Sequence, residues 1–262
     1  MKATEKEMLQ ILRKMKDEYG VLAVKAEFEA EGSRTDELIM LNEVVYRADM
    51  QMFIKIGGCE AVRDLDQCRL LGATGIMAPM IETPFAMKKF CDAVNKVYTP
   101  KEQEDIDFII NAETGTAYEN FDAILEQGKG MLDTIAIGRV DLSASVGLSR
   151  KELNGEKVFE LSCGFAKKAH AAGVAVGFGG GISFDAIPFI EKMEGLASRF
   201  ETRKIVFDLK SAKHCLRAAI LSAMEFEYLY LKGKCTFYDR MAKEDEQRMI
   251  MLKQRINVAK NS

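Results

Sequence analysis

The chain has 262 residues, 48% hydrophobic and 29% charged, with a formal net charge of −3. Such a length suits one large α/β unit, and a charge so near balance gives no electrostatic case for nucleic acid or an anionic membrane as partner. No run approaches the roughly 20 apolar residues that span a bilayer, and the six scattered cysteines, without CxxC spacing, indicate neither a zinc site nor a disulfide framework.

The opening MKATEKEMLQILRKMKDEYG has the pattern of a charged amphipathic helix without a signal peptide's apolar core, so a reducing cytoplasm is the expected location. Strand-like runs follow at Val21–Glu29, Met52–Gly57, Gly75–Ile81, Asp107–Glu113, Thr134–Gly138, Val174–Phe178 and Lys204–Asp208. Helix patterns lie between them at Asp36–Arg47, Cys59–Leu71, Pro84–Val97, Ala117–Glu126, Gly155–Ala172 and Phe184–Glu194. This alternation implies parallel strands covered by helices, a (β/α)8 TIM barrel over residues 1–210. Seven strands are visible where eight are needed, so one is irregular or missing. Residues 211–262 read as a C-terminal helical extension of two helices, Ser211–Leu231 and about Asp239–Ala259. It belongs to the same domain or is an oligomerisation element; the reading favoured is that it packs on a neighbouring copy of the chain.

Two apolar runs end at carboxylates. DFIINAE stops at Glu113, and TIAIGRVD stops at Asp141. A carboxylate at the C-terminal tip of a barrel strand sits where α/β barrels keep their chemistry, and two such tips can hold one divalent cation. Strand alternation extends the cluster. In the first strand Leu22, Val24, Ala26 and Phe28 form an apolar set suited to packing under helices, opposite Val21, Ala23, Lys25, Glu27, Glu29 and Glu31. Turning the polar sets inward gathers Lys25, Glu27, Lys55, Asn111, Glu113 and Asp141 in the barrel. Such burial demands mutual pairing, a metal or a charged ligand; a solvated edge strand is the plainer alternative. His170 and His214 fall in helical sequence, away from strand ends, and Glu60 and Glu82 read as first-turn helix acids.

From about Lys55 to Asp208 the chain resembles the HpcH/HpaI aldolase and citrate lyase β-subunit family. The matching pieces are IKIGGCEAVRDL, LGATGIMAPMIETPFAM, FIINAETGTAYENFDAIL, LDTIAIGRVDLSASVGL and AGVAVGFGGG. The resemblance implies a TIM-barrel lyase that uses Mg2+ or Mn2+ and makes or breaks a C–C bond beside a 2-oxo acid or acyl-CoA enolate. It places the metal ligands on Glu113 and Asp141, and the substrate-clamping cation on Lys55, where the family has Arg. Backbone N–H groups at Gly138, Arg139 and Val140 would hold a substrate carboxylate; strand alternation, apart from the resemblance, adds Lys25 as a further substrate-binding residue. Arg139 stands where relatives usually have Pro, adding a cation. The His/Asp dyad of the aldolase branch is absent: the first strand reads KAEFEAEG, and Leu70 stands near the Asp position. Catalytic proton transfer therefore falls to Glu27, Glu29 or a metal-bound water, beside Lys55, or the reaction differs from the family's aldol cleavage.

Two other readings stay open. Lys25 or Lys55 could form a Schiff base with a phosphorylated carbonyl substrate held by the Gly-rich run Gly177–Ser183. Alternatively the barrel is a non-catalytic binding or assembly module. The leading expectation is a cytoplasmic, homo-oligomeric carbon–carbon lyase acting on a small carboxylic acid, with neither nucleic acid nor membrane as partner.

Overall fold

The computed structural model describes residues 1–261, with side-chain surroundings through residue 257. Helix α1 (Ala3–Tyr19) ends at Gly20, whose φ of +68° lets the chain reverse directly into β1 (Val21–Glu27). The barrel then proceeds through α2 (Thr35–Arg47), β2 (Gln51–Lys55), α3 (Val62–Leu71), β3 (Gly75–Ala78), α4 (Pro84–Val97), the short α5 (Pro100–Gln103) and β4 (Asp107–Ala112). Next come α6 (Gly115–Glu119), α7 (Phe121–Gly128), β5 (Thr134–Gly138), α8 (Arg139–Ser145), α9 (Glu156–Ala171), β6 (Ala175–Gly179) and α10 (Ile187–Lys192). Strands β7 (Arg199–Glu201) and β8 (Ile205–Asp208) close the ring, followed by α11 (Leu209–Ala212) and α12 (Leu216–Asn261).

The eight strands form a closed barrel in chain order. The strand absent from the sequence reading is β7, three residues, RFE, in a charged stretch with no alternation to detect. One expectation needs correcting. β8 runs antiparallel to both β7 and β1, so Lys204–Asp208 is the return limb of a hairpin and not a further parallel strand. The turn is pinned by Thr202, whose N–H donates to the Ile205 carbonyl at 2.8 Å and whose hydroxyl accepts from Ile205 N–H at 3.0 Å.

Alternation divides the strands as their sequence suggests. Ala23, Phe53, Met77, Ile109, Ala136 and Val206 form a buried plug inside the ring, while Val24, Ile54, Ile76, Ile110, Ile135 and Val176 join the outer core beneath the helices. Leu22, expected under the helices, is 37% exposed. The C-terminal region also departs from expectation: α12 is one continuous helix of 46 residues. The stretch Lys232–Asp239 contains no Pro, and Lys234 Nζ and the Tyr238 hydroxyl both bond Glu37 of α2, tying down the place where a break was expected. Among the described residues, no helix is long and apolar enough to cross a membrane.

Candidate active site

A cavity of about 380 Å³ opens above the plug, within the range of small-molecule sites. Lys25, Glu27, Glu29, Lys55, Asn111, Glu113, Gly138, Val140 and Asp141 all line it. Glu201, Thr202 and Arg203, which sequence reasoning missed, also line it, because the hairpin that carries them was unseen. Arg150 completes the rim.

Glu113 follows β4 directly, and Thr114 then turns the chain away by accepting the Ala117 N–H at 3.0 Å to start α6. The Glu113 carboxylate is buried but held: Oε1 accepts the Met80 N–H at 3.0 Å, and Oε2 accepts the Asn111 amide at 2.9 Å. Met80 adopts φ +51°, an uncommon left-handed conformation that aims its N–H inward. Gly138 is required by close approach, since a Cβ there would lie 2.4 Å from Glu113 Oε2. Burial raises the Glu113 pKa; Lys55 and its two hydrogen bonds oppose that only partly. Asp141 lies in the first turn of α8, one short step past the strand tip, with its carboxylate exposed to the cavity.

Lys55 ends β2, buried, its ammonium 2.7 Å from Glu29. Burial alone would lower its pKa, but the carboxylates of Glu113, Glu29 and Glu27 outweigh it and the net shift is upward, so the amine stays charged. Lys25 pairs with Glu201 at 2.8 Å, and Glu27 pairs with Arg203 at 3.1 Å. Three of the five lining carboxylates are thus matched. Glu113 and Asp141 have no ion-pair partner among the described residues. Two carboxylates that line one cavity without an ion-pair partner, with Asp141 helping to raise the Glu113 pKa, are what a hard cation neutralises. No group of three or more His, Cys, Asp or Glu residues converges as metal ligands among the described residues. Two carboxylates suit Mg2+ or Mn2+, which draw their remaining ligands from water and substrate oxygens, better than Zn2+. The residues fit the ion.

The backbone N–H groups of Arg139 and Val140 face Gly180: a Cβ on that residue would lie 3.1 and 2.9 Å from the two nitrogens. Gly180 also has φ +83°, so the cradle stays open only for glycine. The Arg139 side chain, expected to add a cation to the site, does not line the cavity. It is fully buried, donating to the carbonyls of Gly179 and Gly180 and to Asn154 Oδ1, and lies 4.4 Å from the centre of the Phe189 ring. Its pKa is pushed down to about 10 by burial, yet those acceptors keep it useful as a clamp between β5 and β6. No histidine lines the cavity: His170 is exposed near the end of α9, and His214 lies in a groove beside Glu194. Leu70 is exposed on α3. Glu60 pairs with Lys89, and the Glu82 carbonyl accepts from Asn120, both outside the cavity.

The sequence model of the HpcH/HpaI aldolase/citrate lyase family matches residues 23–186. The chain belongs to this family. HpcH/HpaI proteins are in general carbon–carbon lyases and aldolases, and commonly use a divalent metal. Solved structures agree on the fold. An HpcH/HpaI aldolase from Desulfitobacterium hafniense DCB-2 is 17% identical over 77% of this chain and 82% of its own, with TM-score 0.62. An HpcH/HpaI aldolase/citrate lyase family protein from Burkholderia cenocepacia J2315 is 15% identical over 84% and 99%, with TM-score 0.56. A variant of the citrate synthase SbnG is 16% identical over 83% and 89%, also with TM-score 0.56. No curated protein matches the sequence.

Proposed function

We propose that the chain is a metal-dependent carbon–carbon lyase that cleaves or forms a bond beside the carbonyl of a small 2-oxo or 2-hydroxy acid, or of an acyl-CoA. The supporting observation is the pairing pattern of the cavity: of its five carboxylates, Glu113 and Asp141 are the two without an ion pair among the described residues, next to a Lys55 that is held charged. Glu113 and Asp141 would hold Mg2+ or Mn2+, which when bound supplies Lewis-acid stabilisation of negative charge on the substrate.

The chain's own groups carry the rest. The Arg139 and Val140 N–H groups take the substrate carboxylate. The Lys55 ammonium neutralises charge that develops on the 2-oxo oxygen as the C–C bond breaks. Glu29, paired to Lys55, with Glu27 beside it, removes the proton from the departing hydroxyl, whose oxygen becomes the carbonyl of the released aldehyde. The electrons of the broken bond pass to the 2-oxo fragment, which is then protonated at carbon.

Deuterium exchange at the methyl group of pyruvate in D2O tests this without an aldehyde. Exchange should require Mn2+ or Mg2+, stop with EDTA, and be lost in Glu113→Gln. Absence of exchange together with no metal effect on melting would sink the proposal and favour a binding module. Borohydride trapping of substrate on a lysine would instead establish the Schiff-base route, which the charged state of Lys55 opposes. The proposal includes cytoplasmic location and a homo-oligomer built through α12, where Leu221, Met224, Tyr228 and Leu231 are exposed. Sedimentation of the wild-type chain and of a Leu221→Lys, Tyr228→Lys double variant tests the latter: the wild type should sediment as an oligomer and the variant as a monomer.

A further inference from the structure

One face of α12 carries a heptad seam that the core does not use. In the base of the helix, Leu221, Met224, Tyr228 and Leu231 recur at alternating spacings of three and four. The same frame passes through Cys235, Tyr238, Ala242 and Asp245, then resumes at Met249, Leu252 and Ile256 in the tip. The seven seam residues of base and tip are each 40% to 65% exposed, whereas Leu216, Ala219, Ala223 and Phe226, on the other face of the base, are buried in the core. Every residue from Asp239 to Ile250 is exposed, so the tip projects beyond the body of its own chain. A projecting helix of about 20 residues is marginal in water without something to pack on. The charges that flank the seam are segregated: Glu225 and Glu227 in the base, Arg248, Lys253 and Arg255 in the tip. Beside the base, an open apolar hollow of about 420 Å³ lies between α1 and α12, lined by Ile11, Met224, Glu225, Tyr228 and Leu229.

We propose that α12 pairs with α12 of a second copy as an antiparallel coiled coil, each tip lying in the hollow beside the other base. This deepens the homo-oligomer reading and rests on it. Antiparallel pairing sets the first seam position of one heptad against the fourth of the other, and a twofold axis near residue 240 achieves this along the whole seam. Leu231 then faces Met249 of the second copy, Tyr228 faces Leu252, and Met224 faces Ile256. The same register brings Glu225 beside Lys253 and Glu227 beside Arg255, so the acidic base meets the basic tip. A parallel pair in register would instead set Arg248 against Lys253, like charge on like, and leave each hollow unfilled by a tip. A seam from Leu221 to Ile256 is about 50 Å long; with a strip roughly 10 Å wide on each helix it buries about 1,000 Å² in total, the scale a specific interface needs.

Cysteine cross-linking tests the register. In a Cys235→Ser background, Leu231→Cys combined with Met249→Cys should give covalent dimers on a non-reducing gel after mild oxidation. Either substitution alone should give about 10-fold less, because a disulfide needs its two Cα atoms within about 7 Å. Both positions are exposed, so the barrel folds whichever way the helices pair. Strong cross-linking by Leu231→Cys alone marks parallel pairing and overturns the proposal. A second arm exchanges charge: Glu225→Lys should weaken the dimer several-fold in sedimentation equilibrium, and adding Lys253→Glu to the same chain should restore it. Weakening without restoration, or no weakening at all, also counts against this register. Sedimentation of the wild type, read alone, separates the two levels. An oligomer without the Leu231–Met249 cross-link removes only the antiparallel pairing, and a monomer removes the homo-oligomer reading with it.

Discussion

Glu29 Oε2 lies 2.7 Å from Lys55 Nζ, joining the loop after β1 to the tip of β2 at the mouth of the cavity. The pair keeps a cation beside Glu113 without letting it collapse onto that carboxylate. Lys55→Met should therefore lower kcat/KM for the lyase reaction by about 100-fold or more, the scale for losing one electrostatic stabiliser of a developing oxyanion. Lys55→Arg should retain more activity than Lys55→Met. Steady-state kinetics of both variants checks this, and equal losses would assign Lys55 a purely structural place.

Metal removal should be visible in melting. At a metal concentration near 100 times Kd the folded chain gains about 2.7 kcal/mol, or about 5 to 10 °C for a domain of this size. Glu113→Gln should abolish that gain in a thermal scan with EDTA, Mg2+ and Mn2+.

The same carboxyl sets a pH dependence. Burial raises its pKa in the fold, so the folded chain grips this proton more tightly than the unfolded chain. Its contribution to metal-free stability is fully present below the ordinary carboxylate value of about 4.3 and is lost as pH rises through the raised folded value. Metal affinity should move the other way, weakening about tenfold per pH unit below that value. Calorimetric titration of Mn2+ at several pH values checks the slope.

Two glycines should separate metal from substrate. Gly138→Ala places a methyl against Glu113 and should weaken metal binding while the barrel still folds, because its φ of −86° suits alanine. Gly180→Ala fills the cradle before Arg139 and Val140 and forces a positive φ, so it should raise KM about tenfold or more with a cost of roughly 1 kcal/mol or more in stability. Metal titration and KM for each variant distinguish them.

Arg139→Met should behave as a core lesion. It leaves the Gly179 and Gly180 carbonyls and Asn154 without their donor, and a loss of about 3 kcal/mol or more is expected in denaturant unfolding.

Much of this was legible in the chain because strand alternation is strict. Lys25, Lys55, Asn111 and Glu113 reach one cavity for the same reason that Ile54, Ile110 and Ile135 reach the outer core. Glu201 escaped because a three-residue strand has no period to read. Arg139 misled because adjacency to Asp141 fixes where the backbone N–H groups point, while the long side chain follows the nearest buried carbonyls. The reversal of β8 and the continuity of α12 are tertiary outcomes, decided by Thr202 in a turn and by Glu37 on a distant helix.

The reversed eighth strand also bears on how the barrel is born. β7 and β8 are near neighbours in the chain and can pair quickly, whereas β1, paired with β2 on one side, must wait some 180 residues of synthesis for a partner on its other edge. Until that hairpin leaves the ribosome, the open edge of β1 is an exposed template for wrong pairing. Chains stalled before Ile205 should aggregate, and the final few residues of the ring, more than its long central run, should govern the yield of folded protein.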